Sequence, residues 1–144
     1  MKNLSTTLSL SLILLTACES EKVVSENTLP DAAKEYVEAH FPSAAIQQVV
    51  KERDDLKTNY DVILDNQVKL SFDKDGDCYD AEGTSAVKLP DSIIPVKVLE
   101  YVKTNHPDQF IIEWEKDKTD QEIKLSNRTE LIFNLSGEFL RVDN

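Results

Sequence analysis

The densest run of potential ligands in the chain is Ser71 to Glu82. There Asp73, Asp75, Gly76 and Glu82 fall at positions three, five, six and twelve of a calcium-loop spacing. A hard cation takes oxygen ligands at such intervals, and the glycine permits the sharp turn. However, position one is Ser71 rather than an acid, the flanks read as strands, and the later segment Ile132 to Asp143 lacks the matching acids. The run therefore reads first as an acidic hairpin turn, with no cofactor expected and a calcium site at Asp73, Asp75 and Glu82 as the alternative. His40 and His106, the only histidines, each precede a proline at the end of a helical pattern, where an imidazolium meets the helix dipole favourably. Zinc-type ligation needs further nitrogen or sulfur partners, which Cys78 alone does not supply. Asp77 and Asp80 disfavour a thiolate at Cys78, so this cysteine reads as a small apolar filler. No Gly-x-Ser-x-Gly motif or other nucleophile signature appears, and an enzyme ranks last among the functional readings.

A second chemistry lies at the start of the chain. Met1-Lys2-Asn3 gives a short positive start and Leu4 to Leu15 an apolar run too short to span a bilayer, which together read as a secretory signal over residues 1–17. The run ends Leu15-Thr16-Ala17-Cys18, which resembles the lipobox of bacterial lipoproteins. That resemblance implies a diacylglycerol on the Cys18 thiol, cleavage before it and acylation of the new amino terminus. Several acyl chains anchor stably, at about 0.8 kcal/mol per buried methylene. Glu19 rather than Asp after the cysteine resembles the pattern of lipoproteins sorted to the outer membrane. Residues 18–27 are polar and patternless and read as a tether. With Cys18 acylated, Cys78 has no disulfide partner.

The full chain carries 16 Lys and Arg against 27 Asp and Glu, a net charge of −11, and losing Lys2 with the signal makes it one unit more negative. Such a surface repels nucleic acid and anionic headgroups, so the expected partners are the membrane, through the lipid alone, and a protein or peptide of the envelope.

Behind these residues stands an internal repeat. Leu29-Pro30-Asp31 returns as Leu89-Pro90-Asp91, Tyr36-Val37 as Tyr101-Val102, Leu70-Ser71-Phe72 as Leu131-Ile132-Phe133, and Gly76-Asp77 as Gly137-Glu138. A period near 60 residues carrying helical and strand patterns implies a duplicated unit. Ala33, Tyr36, Val37 and Phe41 share one helical face, stopped by Pro42. Pro95 predicts a short turn after Pro90 and a main helix from about Pro95 to Asn105, with Val98, Tyr101 and Val102 inward. Ile46 to Lys51 and Ile111 to Lys116 predict first strands. Tyr60, Val62 and Leu64, then Val68, Leu70 and Phe72, alternate as half-buried strands do. Asp65-Asn66 and Asp75-Gly76 suit the hairpin turns. The expected architecture is α+β: two tandem repeats, residues 28–84 and 85–144, each a helix plus four antiparallel strands, forming a sheet with helices on one face.

A helix ending at proline, followed by strands closing on Phe-Asp-x-x-Gly (Phe72 to Gly76) and a variant of it (Phe133 to Gly137), resembles the PepSY-like proteins, also described as beta-lactamase-inhibitor-like. The resemblance spans Leu29 to Asn144. It implies an antiparallel sheet with helices on one face and a sheet surface that grips another protein. Asn134-Leu135-Ser136 departs from the acidic stretch, and Cys78 stands where an aromatic is expected.

If the alternating strands bury one side, Ile63, Ile132 and Phe139 point away from the helices, and Trp114 can join them. Apolar groups on a wet face mark binding surfaces, and tryptophan is enriched at hot spots. The expected function is a membrane-anchored periplasmic or surface lipoprotein binding a protein or peptide, with hydrolase inhibition as one form. A calcium or small-ligand sensor is the alternative.

Overall fold

Alternation of apolar and polar side chains organises nearly every strand. In the computed structural model, which describes residues 20–53 and 56–143, the strands form one continuous sheet. Along the chain come β1 (Ser20–Val24), α1 (Asp31–His40), β2 (Ile46–Arg53), β3 (Thr58–Leu64), β4 (Lys69–Asp73), β5 (Cys78–Glu82), α2 (Val96–Asn105), β6 (Ile111–Lys116), β7 (Asp120–Leu125), β8 (Glu130–Asn134) and β9 (Phe139–Asp143). Each strand pairs antiparallel with the next, so the spatial order is the sequence order.

This corrects the expectation of two helix-plus-four-strand repeats. The nine strands do not divide into modules: β5 pairs directly with β6, with Asp80, Ala81 and Glu82 opposite Glu115, Trp114 and Glu113. The expected tether is corrected as well. Ser20 to Val24 forms β1, with Ser20 opposite Arg53 and Val24 opposite Val49, and a 3-10 turn follows at Glu26–Thr28. Most of β1 is exposed on both sides, so no alternation announces it; the main-chain ladder to β2 carries it.

Both helices begin after a proline cap, Pro30 and Pro95, whose missing N–H is no loss there. Ala33 and Val37 from α1, and Val98 and Val102 from α2, enter one core with Val62, Leu64, Leu70, Phe72, Ile123, Leu125, Leu131 and Phe133. Each fully buried aliphatic or phenyl side chain there contributes roughly 1.5–3 kcal/mol. Tyr36 meets Phe72 edge-on at 5.6 Å and Tyr101 meets Phe133 at 5.3 Å, so both helices lie on the same side of the sheet. Among the described residues no helix is long and apolar enough to cross a membrane.

Candidate functional site

Side chains that alternate away from the core populate the sheet face that no described helix covers. The strand register lines them up in two rows across the sheet. One runs Val50, Asp61, Ser71, Asp80, Glu115, Glu122, Ile132 and Arg141; the other runs Gln48, Ile63, Lys69, Glu82, Glu113, Lys124, Glu130 and Asp143. These rows hold eight carboxylates against three cations, so the face concentrates the negative charge of the chain.

The cations are placed unevenly. Lys69 Nζ pairs with Asp61 Oδ2 at 2.9 Å, while Lys124 Nζ bridges Glu113 at 2.7 Å and Glu130 at 3.0 Å. Those two carboxylates hold the Lys124 ammonium well above its ordinary range. Buried Ser71 donates its hydroxyl to Asp61 Oδ1 at 2.7 Å. At the middle of the sheet Asp80, Glu115 and Glu122 stand directly opposite one another across β5, β6 and β7. Like charges so placed destabilise a sheet. Burial first, then Glu82 and Glu115, push the Asp80 carboxyl up to about 6, and burial followed by Glu130 and Glu115 raises Glu122.

A folded-state value above the ordinary 3.8 means that the native protein binds the extra proton, so ionised Asp80 costs stability above about pH 6, and the cost disappears as pH falls toward about 4. Asp80→Asn is therefore expected to stabilise the fold at about pH 7.5, by about 1 kcal/mol after allowance for solvent screening, and to leave it unchanged at about pH 4. Thermal melts at the two pH values check this; an equal effect at both would contradict it.

At the foot of the face, between the β2–β3 connection and the β4–β5 and β6–β7 turns, lies a cleft of about 640 Å³. Asn59, Asp73, Tyr79, Glu115 and Lys118 line it. Burial, followed by Asp61 and Glu52, raises the Tyr79 phenol.

The structure divides the four surface candidates. Ile63 and Ile132 lie on the open face, the second buried there between Glu122 and Arg141 in the ladder. Trp114 and Phe139 do not, which is a correction. Trp114 is in the helix-side core with Nε1 donating to Gln121 Oε1 at 3.1 Å, and Phe139 stacks on Tyr101 at 4.6 Å. Bulges at Ile111/Glu113 and Ile132/Phe133 reverse the inward-outward parity that strict alternation predicts.

The acidic turn is a tight hairpin. Asp73 Oδ1 accepts from the main-chain N–H groups of Asp75 at 2.9 Å and Asp77 at 3.0 Å. Glu82 sits opposite Lys69, at the other end of β4 from Asp73, so the three calcium candidates are not brought together. Among the described residues no group of three or more His, Cys, Asp or Glu is gathered around a metal position. His40 Nδ1 lies 2.9 Å from Ser92 Oγ, and His106 caps α2 beside Tyr101. Cys78 is half-buried with its thiol raised to about 11, chiefly by burial. Cys18 and the expected signal lie outside the described residues. The sequence reading missed the row of Asp80, Glu115 and Glu122, whose signal is the outward register of strands that are distant in sequence.

The family described as "Putative beta-lactamase-inhibitor-like, PepSY-like" matches the chain twice, over residues 14–80 and 58–141. The chain belongs to the PepSY-like family. Solved structures bear this out. A "putative calcium-regulated periplasmic protein" from Bacteroides thetaiotaomicron is 35% identical, with a TM-score of 0.81 over 86% of this chain and 97% of its own. A "putative periplasmic protein" from Bacteroides vulgatus is 33% identical at TM-score 0.81, over 88% and 99% of the two chains. Another from that species, described as of unknown function, is 27% identical at the same TM-score, over 87% and 100%. No curated protein matches the chain. The PepSY-like fold thus accounts for nearly all of these relatives' length, and nothing in their descriptions or the family's denotes catalysis.

Proposed function

We propose that the protein is a lipid-anchored binding module of the cell envelope that takes a protein or peptide on its open sheet face, seating cationic groups of the partner on Asp80, Glu115 and Glu122. One observation carries this reading: three carboxylates stand opposed in one row, with the three cations of the face paired to Asp61, Glu113, Glu130 and Asp143. A partner that brings positive charge relieves that repulsion, and half-buried Ile63 adds apolar contact. The relatives described as periplasmic and the sequence at Cys18 support the envelope location, with the outer membrane as the site of the anchor. Inhibition of a hydrolase is one form of such engagement and rests on the family description.

The test titrates a Lys- and Arg-rich peptide into the mature chain at low salt. Glu115→Gln with Glu122→Gln is expected to weaken binding more than tenfold, at about 1 kcal/mol per charge removed. Unchanged affinity in a folded double variant would sink the reading.

A second reading comes from the relative described as calcium-regulated. Sensor sites of the EF-hand type hold calcium through six or more converging oxygens, which the Asp73 to Glu82 segment does not assemble. Calorimetry is expected to show no saturable calcium heat up to about millimolar concentration. A saturable heat lost in Asp73→Asn would put an ion sensor in place of the peptide reading.

A further inference from the structure

We infer that the end of the sheet where β1 begins rests on the lipid bilayer, so that the strands stand upright on the membrane with the acidic face turned sideways to solvent. This rests on acylation of Cys18, proposed above. Only Glu19 separates Cys18 from Ser20, the first residue of β1, so the anchor lies within roughly 7 Å of the folded body. Ser20 faces Arg53, the last residue of β2, and Arg53 faces Thr58, the first of β3. The same end carries the β4–β5, β6–β7 and β8–β9 turns. The start of each helix lies there too, since Gly76 packs on Ala33 and Gly137 on Lys97.

Six large apolar side chains stand exposed among the described residues, and they are not scattered. Leu56 (93%), Val96 (69%) and Leu135 (47%) all lie at this end. The other three, Val23, Leu140 and Val142, lie on the edge strands β1 and β9. Of these, Val142 is opposite Leu131 toward the other end of β9, while the turns at that end, 65–67 and 126–128, are Asp-Asn-Gln and Ser-Asn-Arg. Lys116 and Lys118 flank the apolar tips with long stems suited to lying along a headgroup layer. Acids are interleaved with them, so apolar insertion rather than net charge makes the contact. Three side chains would hold a free protein only weakly. A lipid two residues from the fold keeps them at high effective concentration beside the bilayer, where weak contacts suffice to orient the body.

The test couples a diacyl lipid to the Cys18 thiol of the mature Cys78→Ser chain. The product is placed on lipid discs of phosphatidylethanolamine and phosphatidylglycerol doped with a gadolinium headgroup. Amide signals of Leu56, Lys97, Lys118 and Leu135 are expected to be lost, and those of Asn66 and Asn127 retained. Equal or reversed loss would overturn the orientation, whether the membrane is not touched or another surface touches it. Leu56→Glu, Val96→Glu and Leu135→Glu together are expected to abolish the bias with the spectrum otherwise preserved; a bias that survives them overturns the contact. The intact mass of the chain recovered from its own envelope separates the two claims. An unacylated mass removes the anchor and this inference with it, whereas an acylated mass with unbiased signal loss removes the orientation alone.

Discussion

Phe133→Ala is expected to cost about 3–5 kcal/mol, a third or more of the stability of an ordinary domain. Phe133 is fully buried and is one corner of an aromatic cluster. It meets Tyr101 edge-on at 5.3 Å and Phe139 at 5.7 Å, while Tyr101 and Phe139 stack on each other. Truncation removes the apolar contact, opens a cavity under α2, and breaks two ring pairs worth about 0.5–1.5 kcal/mol each beyond area. Phe72 has the corresponding place under α1, but its partner Tyr36 meets Cys78 where Tyr101 has Phe139, so Phe72→Ala should cost less. Urea unfolding followed by far-ultraviolet dichroism and by Trp114 fluorescence checks both. The two probes should coincide, because the ladder runs unbroken from β5 into β6 and makes the sheet one cooperative unit. Separated transitions would mean that the β5–β6 seam opens on its own, and a cost for Phe133→Ala near that of a surface change would contradict the packing argument.

What was legible in the chain is what local pattern encodes. Spacing of 3.6 residues placed Ala33, Val37 and Phe41, and then Val98 and Val102, on buried helix faces. Period two placed Tyr60, Val62 and Leu64 inward on β3. Long-range relations were not legible. No local pattern reports that β5 continues into β6 past the intervening α2, so a duplicated sequence reads as two modules while the main chain makes one sheet. The central acidic row is invisible for the same reason: Asp80 is remote from Glu115 and Glu122 in sequence and becomes their neighbour only across that seam. Bulges hid the rest. From Ile111 strict alternation sends Trp114 outward; one extra residue before Glu113 returns it to the core beside Gln121. The same irregularity recurs in β2, where Ile46 and Val49 are three apart, yet both pack with the core.

Gly76→Ala carries the second large expected cost, about 3 kcal/mol, and its reason lies in a turn that the chain builds four times. Residues 65–67, 74–76, 126–128 and 135–137 each close a hairpin, with a positive φ at the third position: Gln67 at 70°, Gly76 at 89°, Arg128 at 69° and Gly137 at 82°. That geometry is a type I turn followed by a left-handed residue, and any side chain there costs about 1–2 kcal/mol. Gln67 and Arg128 bear that cost at the end of the sheet away from the helix starts, where Asn66 and Asn127 side chains accept the N–H of Val68 and Thr129. Gly76 has no such latitude. A Cβ on it would come within 2.8 Å of the main-chain nitrogen of Ala33, so α1 would have to move off the sheet, and such overpacking adds about 1–3 kcal/mol. At Gly137 a Cβ would come within 2.8 Å of Lys97 Cβ, an atom fixed to the α2 backbone, so Gly137→Ala should cost about as much. Gln67→Gly should reverse the sign and raise stability by up to about 1 kcal/mol, because the left-handed strain is relieved there at a modest gain in unfolded-chain entropy. Chemical denaturation of the three variants ranks them. If Gly76→Ala costs no more than the left-handed strain alone, about 1–2 kcal/mol, α1 does not rest on that turn as tightly as its backbone contact implies.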